Sequence, residues 1–255
     1  MTGAVGAIAL NTFREAIRDR VLYLLLFFAL ALITASRVVS MLTVGSEEKI
    51  IKDLGLAAIE LFGVLTAVLI GVGLVFKEIE KRTVHVLLSR PVRRWHFLVG
   101  KYLGLSLVLA VNCLLMTAGL YLVLLAHGDP DPWLLPAIGL LFLEQLVMTA
   151  VALLFSSFSS PILSSVFTLS VYAVGHLSWS FRLLRERVPQ QAGKLLCDAL
   201  YYGLPNLERF NIKGEAVHHF PVAASELGLA ACYGAGWAVL LMAIACGVFA
   251  RRDFA

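Results

Sequence analysis

The chain has 255 residues, of which 60% are hydrophobic and 15% are charged, and its mean hydropathy is +0.86. An ordinary soluble domain has about 25% charged residues, so this composition excludes a soluble globular protein. The formal net charge of +4 reflects lysine and arginine in the predicted loops and gives no argument for nucleic-acid binding. The composition indicates an all-α integral membrane protein that forms a single bundle.

Before the first long apolar stretch, residues 1–20 show a helical repeat with one apolar and one polar face. The apolar positions are Val5, Ile8, Ala9, Thr12, Phe13, Ala16 and Ile17. The polar positions are Asn11, Arg14, Glu15, Arg18 and Asp19. This pattern predicts an amphipathic helix that lies in the membrane interface.

Six apolar stretches have about the 20 residues needed to cross a hydrocarbon core of roughly 30 Å. They predict the spans Val21–Leu42, Gly55–Phe76, Phe97–Ala126, Leu134–Phe158, Ile162–Phe181 and Leu227–Ala250. Arg37 lies within the first stretch, which leaves a cleaved signal peptide as an alternative. Glu15 and Asp19 are unusual in the leader of a signal peptide, so we predict an uncleaved span.

The connection between the second and third spans, residues 77–101, carries an unusual number of charges. Within it, "EIEKRTVHVLLS" predicts a short helix with an apolar stripe, and Pro91 should end that helix because the residue before proline avoids the helical region. Trp95 should lie at headgroup level as the next span begins. The basic residues serve either as a topology signal or, with the leucines, as a docking surface for a soluble partner.

Five polar residues fall within the predicted spans, where each is costly unless it faces protein or water. They are Glu60, Asn112, Glu144, Gln145 and His176. Two interpretations stay open: they line a transport path or a dimer seam, or they form hydrogen bonds between helices. In the last span, Ala230, Gly234 and Ala238 form a stripe of small residues that predicts a close helix contact.

The connection before the last span, residues 182–226, is the longest. Leu195, Leu196, Ala199 and Leu200 predict a short amphipathic helix there, and "LPNLERFN" predicts a bend. His218 and His219 have no third ligand nearby in the sequence, and the four cysteines lack C-x-x-C spacing. We therefore predict no metal site and no catalytic site.

Lysine and arginine concentrate near both termini and in residues 77–101, and this bias sets the orientation. It predicts that these regions face the cytoplasm, while His127–Pro132 and residues 182–226 face outward. The expected location is the plasma membrane, which is the inner membrane of a two-membrane cell.

Several segments together resemble the membrane subunits of type-2 ABC exporters, a family that includes the nitrous-oxide-reductase maturation permease. They are the N-terminal helix, "KEIEKRTVHVLLSRPVRRWHFLVGKYLG", "LLFSSFSSP" and "LPNLERFN". The resemblance implies one permease domain over residues 1–255, with six spans. It also implies an elbow helix at residues 1–20, a coupling helix within residues 77–101, and short helices within residues 182–226.

The resemblance further implies a homodimeric exporter permease in the lipid bilayer, driven by a separate ABC ATPase that binds ATP and magnesium. The coupling surface would consist of Glu78, Glu80, Arg82, Leu87, Leu88, Arg90, Pro91 and Trp95. No G-x-x-x-x-G-K-[ST] phosphate loop is present, so we expect no enzymatic activity or cofactor on this chain. A secondary carrier or channel without ATP coupling is the alternative, although no pair of broken spans is visible in the sequence.

Overall fold

The computed structural model describes residues 2–41, 47–80, 94–187 and 191–251. Every regular element in these ranges is a helix. The helices are α1 (Thr2–Ile17), α2 (Arg20–Ser40), α3 (Glu47–Glu80), α4 (Arg94–His127), α5 (Leu134–Ser156), α6 (Pro161–His176), α7 (Ser178–Arg187), α8 (Gln191–Gly203), a 3-10 helix (Leu207–Phe210), α9 (Lys213–Val217) and α10 (Ala224–Arg251). The prediction of an all-α membrane protein is confirmed.

Helices α2, α3, α4, α5 and α10 are each long and apolar enough to cross a membrane. A sixth span arises if α6 and α7, which meet at a bend of 60°, are counted together. The six predicted spans therefore have helical counterparts, and the N-terminal one is a continuous helix of 21 residues.

The predicted fifth span, Ile162–Phe181, is not one straight helix, because its last five residues lie beyond the end of α6. The helix ends at His176 and a new one begins at Ser178. The segment "SWSFRLLRER" contains four charged residues among its ten, so burying it in an apolar layer would be costly. At Gly175, a Cβ atom would lie 2.7 Å from Leu207 and 2.9 Å from the Pro205 carbonyl oxygen, because the returning chain packs directly against the end of α6.

Helices α3 and α4 each have 34 residues. At about 1.5 Å per residue each is roughly 50 Å long, which exceeds the hydrocarbon core of about 30 Å. Glu78 and Glu80, which the sequence placed in a loop, therefore belong to an extension of α3. The rest of the predicted helix "EIEKRTVHVLLS", and the proline that should end it, lie within residues 81–93, outside the described residues.

Helix α5 lies at the centre of the bundle and packs against α3, α4, α6 and α10. In the most apolar part of α3 and of α5, 67% of the residues are buried, compared with 28% in α2. The two central helices are therefore the ones whose polar residues must find partners within the chain.

Helix α1 packs along α4 with the face that the sequence predicts. Ala9, Thr12 and Ala16 are buried in this contact, and two glycines of α4 permit it. A Cβ atom at Gly104 would lie 2.6 Å from the Ala9 carbonyl oxygen and from the Thr12 Cβ atom. The absence of a side chain at Gly104 thus lets the two backbones approach closely.

The bundle has two chemically distinct ends. At the termini end, Lys77 forms an ion pair with Asp19 at 2.8 Å, and the rings of Phe97 and Phe249 stack with centroids 5.7 Å apart. At the loop end lie the turn between α4 and α5 and the short helices that follow α6.

The predicted helix around Leu195 and Leu196 is present as α8, but its orientation differs from the expectation. Leu195 and Leu196 are 71% and 62% exposed, whereas Cys197 is buried. Helix α8 packs mainly against α7, and the face that carries Cys197, Asp198 and Tyr201 contributes to a cavity beside Arg185. On this face Asp198 forms an ion pair with Arg185 at 2.6 Å.

Candidate functional site

Three of the five predicted polar residues meet inside the bundle. Glu60 of α3, Glu144 of α5 and His176 of α6 each contribute one atom to a group whose members lie within 4.8 Å of one another. His176 Nε2 is 2.9 Å from Glu144 Oε1 and 3.3 Å from Glu60 Oε1. Glu144 is fully buried, and Glu60 is nearly so.

Two further residues hold the Glu60 carboxylate in place. The Tyr172 hydroxyl donates a hydrogen bond of 3.0 Å to Glu60 Oε1, and the Lys213 ammonium forms an ion pair with Glu60 Oε2. Tyr172 precedes His176 by four residues, so both side chains lie on the same face of α6. The sequence pattern did not identify Tyr172 or Lys213, although the four-residue spacing was a usable signal for Tyr172.

His176 connects this buried group with the loop end. Its Nδ1 atom lies 3.5 Å from Glu208 Oε2 in the 3-10 helix. A cavity of about 550 Å³ opens at this point, lined by His176, Trp179, Ser180, Asn206, Glu208 and Arg209. The imidazole therefore has one nitrogen towards two buried carboxylates and the other towards a partly open polar cavity.

The chain positions Glu208 through a short, well-anchored turn. Asn206 caps the 3-10 helix by accepting a hydrogen bond from the Glu208 N–H at 3.1 Å, and its own N–H donates to the Tyr233 hydroxyl at 2.8 Å. Leu207 and Phe210 are fully buried beside α5 and α6. The bend predicted from "LPNLERFN" is therefore present and brings Glu208 to the end of α6.

Asn112 and Gln145 do not join this group. Asn112 Nδ2 donates to Thr66 Oγ1 at 3.2 Å, and Gln145 Nε2 donates to the Ile59 carbonyl oxygen at 3.1 Å. A Cβ atom at Gly63 would collide with the Gln145 amide, so the glycine makes room for this contact. These two residues form hydrogen bonds between helices, and both are buried within one chain.

The predicted coupling residues fall mostly outside the described ranges. Glu78 and Glu80 belong to the end of α3, while Arg82, Leu87, Leu88, Arg90 and Pro91 lie outside the described residues. Trp95, near the start of α4, is 42% exposed, and its ring stacks on His96 with centroids 3.9 Å apart.

A second polar cluster, at the loop end, was not predicted. Lys52 is buried between Asp129 at 2.7 Å and Asp131 at 2.8 Å, and His219 Nε2 lies 2.7 Å from Asp131. Burial on its own raises the pKa of the Asp131 carboxyl, but Lys52, the Trp133 N–H and His219 outweigh it. The pKa of Asp131 therefore lies below its ordinary value of 3.8.

The small-residue stripe of the last span is in close contact with the rest of the bundle, as predicted. Ala230 and Ala238 are buried, and a Cβ atom at Gly234 would lie 3.0 Å from the Phe210 ring. Gly234 and Ala238 also line an apolar groove of about 480 Å³ between α4, α5 and α10. The small residues of the stripe therefore pack against Phe210 on one side and line the groove on the other.

Comparison with known protein families yields one result. The family model described as "ABC-2 family transporter protein" matches residues 6–190, a segment that runs from α1 to the end of α7. A comparison with curated proteins gives no match.

Proposed function

The chain belongs to the ABC-2 family of transporter proteins, and from this membership we propose that it is the permease subunit of an ATP-driven exporter. Two copies of the chain would form the translocation path, and a separate ATPase subunit would supply the energy. The observation that carries the proposal is the family match over residues 6–190. The lack of a phosphate loop in the sequence agrees with an ATPase on another chain.

In this proposal the segment between α3 and α4 carries the coupling helix. Both helices are longer than the hydrocarbon core requires, so they can hold this segment at a distance from the bilayer. Leu87 and Leu88 would form the apolar contact with the ATPase, and Glu78, Glu80, Arg82 and Arg90 would surround it with charge. Both chain termini and this segment would face the cytoplasm, with the protein in the plasma membrane.

The polar group of Glu60, Glu144 and His176 would belong to the outer end of the path. The support is its position: it is buried between α3, α5 and α6 and is connected by His176 to the cavity at the loop end. Glu144 is fully enclosed by its own chain, which favours a role within each copy over a role at the seam between copies. The narrower likeness to the nitrous-oxide-reductase maturation permease stays a prediction.

One observation favours the alternative of a secondary carrier. Such carriers use pairs of broken helices in corresponding halves of the protein, and the 60° bend between α6 and α7 is one such break. Within the described residues no second bent pair accompanies it. A carrier requires no ATPase, so the presence or absence of a bound ATPase distinguishes the two functions.

The deciding experiment is purification of the tagged chain from its native membranes, followed by identification of the proteins that accompany it. We expect an ABC ATPase. Replacing both Leu87 and Leu88 by Asp should weaken ATPase binding by at least about 2 kcal/mol, or roughly 30-fold in Kd, because an apolar contact is lost and two charges are desolvated.

The matched control replaces Leu195 and Leu196, two exposed leucines of α8 at the opposite end, by Asp. This variant should retain the ATPase. If the Leu87 and Leu88 variant copurifies with as much ATPase as the wild type, the segment is a topology signal and does not couple the subunits. If no ATPase accompanies the wild type, the carrier function is favoured.

A further inference from the structure

Two buried carboxylates converge on a single ring nitrogen. Glu144 Oε1 and Glu60 Oε1 lie 2.9 Å and 3.3 Å from His176 Nε2, and one N–H cannot point directly at both oxygens. Glu144 is fully buried, and its other oxygen, Oε2, has no hydrogen-bond partner among the described residues. An unsatisfied carboxylate oxygen in such a site is costly, so a positive partner for Glu144 would stabilise the arrangement.

The charges around the group also favour an additional positive partner. Glu60, Glu144 and Glu208 are three carboxylates, and among the described residues Lys213 is the one ammonium that contacts them. With a neutral His176 two net negative charges are left, which a divalent cation would balance. Arg209 also lines the cavity, but its guanidinium lies over the Tyr233 ring, 4.7 Å from the centroid.

The ligand types define the class of cation. An imidazole nitrogen and two carboxylate oxygens suit Zn²⁺ and related divalent transition metals, and the group contains no thiolate that would select Cu(I). A histidine that binds a metal commonly has its other ring nitrogen beside a carboxylate, which fixes the ring. Glu208 Oε2, 3.5 Å from His176 Nδ1, occupies this position.

We propose that Glu60, Glu144 and His176 bind one divalent transition-metal ion, with Glu208 as a positioning residue. The ion enters through the cavity that His176 and Glu208 line at the loop end. Lys213, whose side chain is partly exposed, acts as the counter-charge of Glu60 and can move towards solvent when the metal binds. The bound ion joins α3, α5 and α6 at one point. The site does not depend on the ATPase, and it goes beyond the proposed permease function.

The test is zinc binding by the purified full-length chain in detergent, after treatment with a chelator. Equilibrium dialysis with ZnCl₂ and elemental analysis should give one tightly bound zinc per chain, and zinc should raise the Tm. X-ray absorption on the wild type should show only nitrogen and oxygen ligands near 2.0–2.2 Å, with the signature of one imidazole. This measurement requires no variant and therefore does not depend on how a variant folds.

Glu144→Gln keeps the side-chain shape and removes the charge, and His176→Gln removes the imidazole, so each should abolish the tightly bound zinc. Glu208→Gln should weaken zinc binding by roughly 10- to 100-fold, as expected when the partner of a metal-binding histidine is lost. Because Glu208→Gln leaves all three ligands in place, its Tm without zinc should stay close to that of the wild type.

The matched controls are Glu226→Gln and His218→Gln, which alter an exposed carboxylate and an exposed imidazole elsewhere at the loop end. Both should keep one zinc per chain. The absence of stoichiometric zinc in the wild type overturns the proposal, as does zinc binding that survives Glu144→Gln and His176→Gln. Neither result depends on the presence of an ATPase, so this test and the test of the permease function can fail separately.

Discussion

At the scale of single residues, the buried Lys52 ammonium is placed between opposite charges. Lys52 has a side chain that is only 3% exposed, yet it contacts the carboxylates of both Asp129 and Asp131. His219 adds a second contact to Asp131, and the Asp131 backbone oxygen accepts a hydrogen bond from Tyr121. The cluster thereby joins α3 to the turn between α4 and α5 and to the segment after α9.

We expect Asp131→Asn to destabilise the protein by about 2 kcal/mol, because a buried charge-assisted hydrogen bond is lost while Lys52 stays buried. Asp129 still neutralises Lys52, which keeps the loss below that of a fully unpaired charge. Thermal unfolding in detergent at pH 7 measures the effect as a lower Tm. Asp53→Asn, an exposed aspartate on the same helix, is the control and should leave the Tm nearly unchanged.

The pH dependence follows from the lowered pKa of Asp131. A carboxyl whose pKa is lower in the folded state stabilises that state at every pH above its unfolded value, and this stabilisation is lost as the pH falls through the folded value. The Tm difference between wild type and Asp131→Asn should thus be similar at pH 7 and pH 5, and shrink only below 3.8. A difference that has vanished by pH 5 would contradict this account.

At the scale of elements, the contact of α1 with α4 depends on glycine. Gly100 and Gly104 lie one turn apart on α4, and the side chains of Ile8 and Thr12 fill the space above them. Lys101, between the two glycines, is fully buried, and its ammonium is 3.8 Å from Glu15 of α1. The amphipathic helix is therefore a packed part of the bundle at its termini end.

Gly104→Leu should separate α1 from α4, because the new side chain would overlap the backbone of Ala9. Forcing a larger side chain into a packed contact costs about 1–3 kcal/mol, so the Tm should fall and trypsin should cleave faster after the exposed Arg14 and Arg18. Gly139→Leu on α5 is the matched control, since nothing lies within 4 Å of a Cβ atom there. Equal trypsin rates for the two variants would show that α1 does not need this glycine.

At the scale of the whole molecule, the two ends of the bundle carry different helices, ion pairs and cavities. The termini end carries α1, the Lys77–Asp19 ion pair and the end of α10. The loop end carries the Lys52 cluster, the short helices and the cavity beside His176. The orientation in the membrane then decides which compartment has access to the buried Glu60, Glu144 and His176.

The lysine and arginine bias predicts that the termini end faces the cytoplasm. In a cysteine-free version, an impermeant maleimide added to intact cells should label Glu215→Cys and Pro130→Cys, both at the exposed loop end. Gly3→Cys and Lys81→Cys should react only after the cells are permeabilised. Because both positions are predicted to face the cytoplasm, each is a control for the other. Labelling of Lys81→Cys in intact cells, with Glu215→Cys protected, would reverse the orientation.

The sequence by itself determined the class of protein, the approximate spans, the apolar face of α1 and the family. These properties depend on local composition and on repeats of a few residues, which the linear order of the chain contains directly. The same local patterns identified Glu60, Glu144 and His176 as costly residues in apolar surroundings. The sequence shows that each of these residues needs a polar partner, but it does not show which residue that partner is.

Only the tertiary structure decided which partners these residues have. Glu144 contacts His176 rather than Asn112 or Gln145, and Glu60 contacts Lys213, which lies 153 positions further along the chain. The break after His176 was also hidden, because it depends on the close approach of Pro205 and Leu207 to Gly175. Contacts between distant segments depend on how the helices rotate and cross, and packing of the whole bundle selects those angles.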